Sequence, residues 1–196
     1  MLTDIKIGFA VTGSFCTHIA ALSAAEELVR QGADVYPILS DTVAKTGTRF
    51  LEKDVMATDL ENITGHRAMT SVVATEPIGP QKLLDIVCVV PCTGNTLGKL
   101  AGGITDSPVL MACKAHLRNN RPVVLAVSTN DGLSGSAKKI GTLLVCKNYY
   151  FVPFRQDDPV NKAFSLVARF DLLPQTIAYA LEGKQLQPIL AVNEKV

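Results

Sequence analysis

Five apolar runs rich in β-branched residues recur along the chain, and each predicts a buried strand. The runs are IKIGFAV, ADVYPIL, DIVCVV, PVVLAV and YYFVPF. They are continuous rather than alternating between apolar and polar positions, which is typical of strands covered on both faces. The pattern therefore predicts a mainly parallel sheet that lies between layers of helices.

Helical periodicity occupies several intervals between these runs. Apolar residues recur at helical spacing from Thr17 to Arg30, and Gly32 suits the position just after a helix. Two later segments, DSPVLMACKAHLRNN and LLPQTIAYALEGK, open near Pro108 and Pro174, and Gly183 closes the second. Because strands and helices alternate, we predict a doubly wound α/β fold.

The interval from Asp41 to Pro80 is the least regular part of the pattern. It contains one predicted helix, TRFLEKDVM, and Thr58 and Glu61 have the spacing of a capping box. We interpret the following segment, GHRAMTSVVATEPIGP, as an excursion near the functional site. Neither a repeat nor a shift in composition marks a boundary, so residues 1–196 are predicted to form a single domain.

Composition narrows the class of protein. Hydrophobic residues make up 47% of the chain and charged residues 19%, as in compact proteins rather than disordered ones. A net charge of +1 does not indicate the strongly basic surface that is typical of nucleic-acid-binding proteins. The N-terminal MLTDIKIGFAVTG contains an acid and a base and only a short apolar run, so we expect no signal peptide, no membrane span and a cytoplasmic protein.

The five cysteines include no Cys-x-x-Cys pair, so the sequence predicts neither a disulfide framework nor a zinc site. We interpret them as reduced thiols that pack as small hydrophobic residues. Cys16 and Cys92 are of interest because each falls in a polar loop that follows a predicted strand. No metal site is predicted.

The candidate chemistry lies in the loops that follow the strands, because open parallel sheets bind ligands beyond the carboxyl ends of their strands. These loops read TGSFCTH, SDT, PCTGNT and STNDGLSGS. Gly13 and Ser14 lead into a predicted helix, so we predict a phosphate site there. Neither Gly-x-Gly-x-x-Gly nor a Walker lysine is present, and Ser40 stands where an acidic ribose ligand is expected. The loops favour a mononucleotide, most simply FMN.

The Gly-Ser loop after the first strand and the segment from Pro91 to Thr96 resemble the homo-oligomeric flavin-containing cysteine decarboxylase superfamily. The resemblance implies a three-layer, flavodoxin-like or Rossmann-like doubly wound sheet of mainly parallel strands. It also implies FMN at subunit contacts in a trimer or dodecamer. The expected cofactor-binding residues are Gly13, Ser14, Phe15, Ser40, Pro91, Thr93, Gly94, Asn95, Thr96, Ser128 and Thr129.

TEPIGPQKLLD, the segment from Pro91 to Leu133, and NYYFVPFRQDDP resemble one branch of this superfamily, whose members act in the mother cell of sporulating bacteria. The resemblance implies oxidation of dihydrodipicolinate to pyridine-2,6-dicarboxylate, with a nicotinamide-binding dehydrogenase as the other subunit, through which NADP enters. Such a reaction needs a hydride acceptor, a base and groups that bind carboxylates. We expect Glu76 as the base, with Asn95 and Lys99 binding a carboxylate.

Two alternatives remain open at the level of sequence. The superfamily's decarboxylases have a histidine ahead of the third strand and a methionine-containing clamp after the fourth. Here Glu76 and Pro77 stand ahead of the third strand, and no methionine follows Met111, so a decarboxylase is disfavoured. The chain can also be a non-catalytic subunit that binds flavin or only its partner. We expect residues 155–158 to belong to a neighbouring subunit's site, and His66 to be a surface residue.

Overall fold

The computed structural model describes residues 2–46 and 54–192, which form a seven-stranded sheet and its covering helices. The strands are β1 (Lys6–Val11), β2 (Asp34–Leu39), β3 (Ile86–Cys92), β4 (Val123–Thr129), β5 (Tyr149–Phe151), β6 (Phe154–Gln156) and β7 (Leu166–Ala168). The helices are α1 (His18–Arg30), α2 (Asp41–Lys45), α3 (Val55–Thr64), α4 (Val72–Thr75), α5 (Gly94–Ala101), α6 (Pro108–Leu117), α7 (Ala137–Leu144) and α8 (Leu173–Leu181).

The sheet has the flavodoxin-like strand order. Strands β2, β1, β3, β4 and β5 are parallel and adjacent in that order, and a β6–β7 hairpin joins antiparallel to the end of β4. Helix α1 packs with α3 and α8, whereas α6 packs with α4 and α5. The predicted doubly wound sheet of mainly parallel strands is confirmed. The order reverses between β1 and β3, so the ligand site is expected at their carboxyl ends.

The core confirms the interpretation of the continuous apolar runs. All seven residues of β3 are buried, as are five of the six residues of β1. Helix α1 contributes one stripe at a spacing of three and four residues, formed by His18, Ala21, Ala24, Ala25 and Leu28. This packing fixes the positions of β1 and β3 and therefore of the loops that follow them.

The predicted helix ends are confirmed. Gly32 and Gly183 follow α1 and α8 with φ of 87° and 75°, the left-handed region that glycine enters without a steric penalty. Pro108 is the first residue of α6. Every helix in the two described stretches is too short or too polar to cross a membrane.

The fifth predicted strand is wrong as a single element. YYFVPF contains the whole of β5, a break at Val152 and Pro153, and the first residue of β6. Strand β5 pairs with the first half of β4, whereas β6 pairs with β7, which itself pairs with the end of β4. The chain thus changes neighbours at Pro153, whose carbonyl accepts a hydrogen bond from the Arg169 N–H at 2.8 Å.

The capping box in the irregular interval is also wrong. Thr58 lies inside α3, where its hydroxyl donates to the Asp54 carbonyl at 3.0 Å. Glu61 instead accepts from the Ala68 N–H at 2.9 Å and so anchors the chain after the helix. Residues 48–53 of the predicted helix TRFLEKDVM lie outside the described residues.

Candidate functional site

Two adjoining cavities lie at the carboxyl ends of the parallel strands. The larger cavity has a volume of about 1050 Å³ and is bordered by the loops after β1, β3 and β4 and by the β6–β7 loop. The smaller cavity, of about 300 Å³, is bordered by the loops after β1, β2 and β3 and by the start of α6. Gly13, Thr93 and Asn95 line both cavities.

The structure brings most of the predicted cofactor residues to these cavities. The larger cavity is lined by Gly13, Ser14, Phe15, Thr93, Gly94, Asn95, Ser128 and Thr129, among others. The smaller cavity is lined by Gly13, Ser40, Thr93, Asn95 and Thr96, among others. Pro91 lines neither cavity, because it is the buried penultimate residue of β3.

Thr12 ties the ends of β1 and β3 together beneath the cavities. Its buried hydroxyl donates to the Pro91 carbonyl at 2.7 Å and accepts from the Thr93 N–H at 3.2 Å. The Thr12 carbonyl lies 2.9 Å from His18 Nε2. Because a carbonyl only accepts, Nε2 carries the proton, and burial lowers the pKa of His18 so that the ring stays neutral.

The loop after β1 differs from its predicted form. Ser14 is followed by a 3₁₀ turn, Phe15–Thr17, and α1 starts only at His18. The Ser14 hydroxyl does not cap that turn and lies 2.8 Å from the Ser128 hydroxyl. The predicted phosphate corner at Gly13 and Ser14 therefore has no α-helix directly behind it, and Ser14 joins the floor of the larger cavity instead.

Gly94 packs against a hydroxyl–carboxylate cluster in the loop after β4. Asp131 Oδ1 accepts from the Thr129 hydroxyl at 2.6 Å and the Ser136 hydroxyl at 2.8 Å. The Thr129 hydrogen bond, followed by that of Ser136, lowers the pKa of Asp131 against the opposing effect of burial. A Cβ on Gly94 would lie 2.6 to 2.7 Å from all three side chains. Glycine is therefore required at this position, a reason that the sequence did not reveal.

Three helices begin at the smaller cavity. Their N-cap residues are Ser40 of α2, Thr93 of α5 and Ser107 of α6, and all three line it. Each N-cap hydroxyl accepts from the third N–H of its own helix, at 3.2 to 3.4 Å. Helix N-termini carry partial positive charge, so their convergence suits a compact anion such as phosphate. Sequence reasoning missed Ser107, because α6 lies beyond the loops that follow the strands.

The charged side chains at the smaller cavity are paired. Lys99, a predicted carboxylate ligand, lines the cavity with its Nζ 2.7 Å from Asp106. Asp41 pairs with Lys45 at 2.6 Å. Because a lysine partners each carboxylate, the positive helix termini remain the dominant field for a bound anion.

Glu76 is not brought to either cavity. It is an exposed residue that opens the 3₁₀ turn Glu76–Ile78. The following Gly79 lies against the second half of α6, where its carbonyl accepts from Asn119 Nδ2 at 2.7 Å. The cavity touches only the start of α6, and ten residues of helix extend about 15 Å. The geometry of one chain therefore does not support Glu76 as the base.

Of residues 155–158, which are expected at a neighbouring subunit's site, Asp157 lines a cavity of this chain itself. Asp157 lines the larger cavity together with Lys162, and the two pair at 2.7 Å. His66 is half-buried rather than a free surface residue: its Nε2 lies 2.7 Å from Asp34, and its ring stacks on Tyr36 with centroids 4.1 Å apart.

The cysteines behave as predicted for reduced thiols. All five are free, and Cys88, Cys92 and Cys113 are buried. Burial raises the pKa of Cys92 well above its usual value, so this thiol stays protonated despite its place at the end of β3. Cys16 is exposed and lines the larger cavity. Within the described residues, no cluster of histidine, cysteine and acidic side chains suits a metal ion.

A third cavity, of about 790 Å³, lies between α1 and α8. Its lining is largely apolar, and its two acids, Glu27 and Asp171, are paired with Arg30 and Arg169. It lies away from the carboxyl ends of the strands, so we place the functional site at the two polar cavities instead.

Comparisons with known proteins identify the family of this chain. A sequence model of the flavoprotein family matches residues 1–137. The B subunit of dipicolinate synthase from Bacillus subtilis (strain 168) is 50% identical over 188 residues, 96% of this chain and 94% of that protein. The crystal structure of the dipicolinate synthase B subunit from Bacillus halodurans superposes with a TM-score of 0.90 at 44% identity, covering 98% of this chain and 99% of that one.

A more distant structure shows the same fold. The FMN-dependent cysteine decarboxylase SpaF superposes with a TM-score of 0.68 at 20% identity, covering 93% of this chain and 98% of that one. At this level of identity the likeness concerns the fold alone.

Proposed function

The chain belongs to the flavoprotein family, and from that premise we propose that it is the B subunit of a dipicolinate synthase and that it binds FMN. We propose that it contributes to the oxidation of dihydrodipicolinate to pyridine-2,6-dicarboxylate in the cytoplasm of a sporulating mother cell. The observation that carries this proposal is the pair of adjoining cavities, one built for a compact anion and one large enough for a ring system.

The residues present fit FMN in one orientation. Its phosphate suits the smaller cavity, where the N-termini of α5 and α6 meet that of α2. Its ring suits the larger cavity, whose volume of about 1050 Å³ is just above the usual range for ligand and cofactor sites. Gly13, Thr93 and Asn95, which line both cavities, would hold the linking chain. Gly94 lets the start of α5 pack against the loop after β4 at the wall of the larger cavity.

Bound FMN would supply the acceptor for the hydride that leaves the substrate ring. The chain itself has to orient the substrate and accept one proton. The Asn95 side chain is exposed at the border of the two cavities, where its amide can hydrogen-bond a substrate carboxylate.

We propose Asp131 as the proton acceptor in place of Glu76. Asp131 lines the larger cavity and uses Oδ1 for its two hydroxyl partners, while Oδ2 accepts no hydrogen bond within the described residues. The lowered pKa makes Asp131 a weak base. A weak base is sufficient, since loss of a hydride leaves a cationic ring that releases its proton readily.

A non-catalytic role is the second candidate. In this alternative, the chain supports the A subunit of dipicolinate synthase, a nicotinamide-dependent dehydrogenase that brings NADP and performs the oxidation. The position of Glu76 outside the cavities favours it, as does the pairing of Asp157 with Lys162.

A decarboxylase is the least supported alternative. No histidine is among the lining residues of either cavity, and no methionine follows Met111 to form a clamp. We expect no carbon dioxide release from a cysteinyl substrate.

The test begins with the purified full-length chain reconstituted with FMN. Under anaerobic conditions, bleaching of the flavin absorbance on addition of dihydrodipicolinate supports direct oxidation. A protein that binds no flavin yet raises the rate of the partner dehydrogenase supports the non-catalytic role. A chain that neither binds flavin nor affects that dehydrogenase contradicts both proposals.

We also propose a homo-oligomer, a trimer or dodecamer. Large apolar side chains such as Ile19, Val73 and Val145 are 74%, 81% and 86% exposed, which favours burial against other copies. Light scattering coupled to size exclusion tests this, and a monomer at micromolar concentration would contradict it.

A further inference from the structure

Two lysines from separate elements line the larger cavity. Lys139 belongs to α7, and Lys162 belongs to the loop that joins β6 to β7. Neither was among the residues expected from the sequence. The same cavity is lined by two carboxylates, Asp131 and Asp157. The question is therefore which ligand gains from two cations in a cavity that also carries two fixed negative charges.

Lys139 is directed along α5. A Cβ built on Gly98 would lie 3.3 Å from its Cε, so the aliphatic stem of Lys139 rests on that glycine. The same Cβ would lie 3.5 Å from the Lys139 Nζ, so the ammonium lies beside Gly98. Its charge contributes to lowering the pKa of Asp131, so the ammonium is within electrostatic reach of that carboxylate. Within the described residues Lys139 forms no ion pair, so its N–H donors are available to a ligand.

Lys162 is held by an ordered loop. Asp158 Oδ1 accepts from the N–H groups of Val160 and Asn161 at 3.1 and 3.0 Å, and its carbonyl accepts from the Lys162 N–H at 2.8 Å. The Lys162 Nζ donates to Asp157 at 2.7 Å. That hydrogen bond raises the pKa of Lys162, so the group is cationic at neutral pH. An ammonium has three donors, and this pairing leaves others for a ligand.

The two aspartates each have hydrogen-bond partners within the protein. Asp131 receives two hydroxyl hydrogen bonds, and Asp157 receives the Lys162 ammonium. Both carboxylates oppose the entry of an anion. The aspartates repel every carboxylate of a ligand, so a carboxylate binds only where it contacts an ammonium. A ligand with one carboxylate contacts one lysine, whereas a ligand with two carboxylates has a group for each lysine.

From this arrangement we infer that Lys139 and Lys162 form a two-cation site for a small ring dicarboxylate and select it over the corresponding monocarboxylate. The inference rests on the proposed function, since it assigns the substrate-binding part of the same cavity. Both lysines are positioning and specificity residues, because they hold the carboxylates rather than the reacting carbon.

The test measures selectivity rather than activity. Calorimetric titration of the FMN-loaded chain with pyridine-2,6-dicarboxylate and with pyridine-2-carboxylate gives a ratio of dissociation constants. Charge-assisted hydrogen bonds of this kind support a preference of about tenfold or more for the dicarboxylate. We expect Lys139→Gln and Lys162→Gln each to lower the preference for the dicarboxylate over the monocarboxylate to within about threefold, mainly by weakening the binding of the dicarboxylate.

The matched control is Lys138→Gln. Lys138 is the neighbour of Lys139 on α7 and has the same charge, but it is exposed and does not line the cavity. We expect Lys138→Gln to have the wild-type ratio of the two dissociation constants. Circular dichroism melting of each variant establishes that the fold is retained, because both cavity lysines lie outside the hydrophobic core.

The outcomes separate the inference from the proposed function. If the chain takes up no FMN, the function fails, and the same titrations of the flavin-free chain still decide the inference. If FMN binds and the two cavity variants keep the wild-type ratio, the inference alone is overturned. A wild-type chain that does not distinguish the two probes also overturns it.

Discussion

The hydroxyls of Ser14 and Ser128 lie 2.8 Å apart, although 114 residues separate them in sequence. The contact joins the loop after β1 to the end of β4, and Thr17 extends it with its own hydroxyl 3.3 Å from Ser128. Since β3 lies between β1 and β4, these two loops meet above the end of β3. The floor of the larger cavity is therefore a hydroxyl bridge across three strands.

Thr12→Val tests the hydrogen bonds by which Thr12 joins the ends of β1 and β3, beneath the floor of the larger cavity. The substitution keeps the side-chain shape but leaves the Pro91 carbonyl and the Thr93 N–H without their buried partner. We expect a loss of about 1 to 3 kcal/mol in the free energy of unfolding, measured by urea denaturation. Thr142→Val is the control, since Thr142 bonds only the carbonyl of Lys138 on an exposed helix surface, and it should cost under about 0.5 kcal/mol. Equal losses in the two variants would show that the Thr12 hydrogen bonds contribute nothing specific.

Gly94 and Glu76 mark how far the sequence predicts the site. Gly94 is expected at the cofactor because the segment from Pro91 to Thr96 resembles that of a flavin-binding family, and it lines the larger cavity. The steric reason for a glycine at this position cannot be read from the sequence, because Asp131 and Ser136 approach Gly94 from a loop that follows a different strand. Glu76 precedes β3, so the chain delivers it toward the amino end of that strand, away from the ligand edge.

Gly94→Ala is expected to be disruptive. The added Cβ would meet Ser136, Asp131 and Thr129 at distances below van der Waals contact, so the loop after β4 must move. We expect a loss of about 1 to 3 kcal/mol in stability together with loss of FMN binding. Gly141→Ala is the control: it lies in α7 with no atom within 4 Å of its new Cβ, and it should stabilise the chain by about 0.5 to 1 kcal/mol. A Gly94→Ala protein of wild-type stability would contradict the packing described for this turn.

Asn95→Asp separates charge at the site from stability of the fold. Asn95 is the second residue of α5, where a carboxylate favours the helix N-terminus. The same carboxylate borders both cavities and repels a phosphate or a substrate carboxylate. We therefore expect unchanged or slightly higher thermal stability, with FMN affinity reduced by about tenfold or more. Asn95→Ser, which is neutral, should weaken binding less.

Fluorescence titration with FMN measures both Asn95 variants under the same buffer. If Asn95→Asp binds FMN as tightly as the wild type, the assignment of this residue to the flavin site is wrong. A parallel loss in both variants would mean that the amide, rather than the charge, is what the site requires.

The strands were more predictable than the edges of the sheet. Residues 86–90 are apolar and fully buried, so local pattern and tertiary position agree in β3. Strand β7 has three residues and pairs with the end of β4 and with the whole of β6. Its existence depends on the turn at Asp158 and on partners that are distant in sequence, and the local pattern contains neither. The same holds for Ser107, whose place at the smaller cavity follows from the path of α6.

His116 predicts a pH dependence of stability. Its ring is 1% exposed in α6, and burial, followed by the charge of Arg121, lowers its pKa to about 4. The unfolded chain has the ordinary histidine pKa of about 6.5, so between these two values the unfolded state binds one more proton than the native state. Stability is therefore retained above about pH 6.5 and falls as the pH decreases toward 4, with a slope approaching about 1.4 kcal/mol per unit. Urea unfolding at pH 8, 6 and 5 measures it, and His116→Gln, compared with its own value at pH 8, should show a shallower fall. An identical slope in the variant would assign the acid sensitivity to other groups, of which the buried His18 is the first to test.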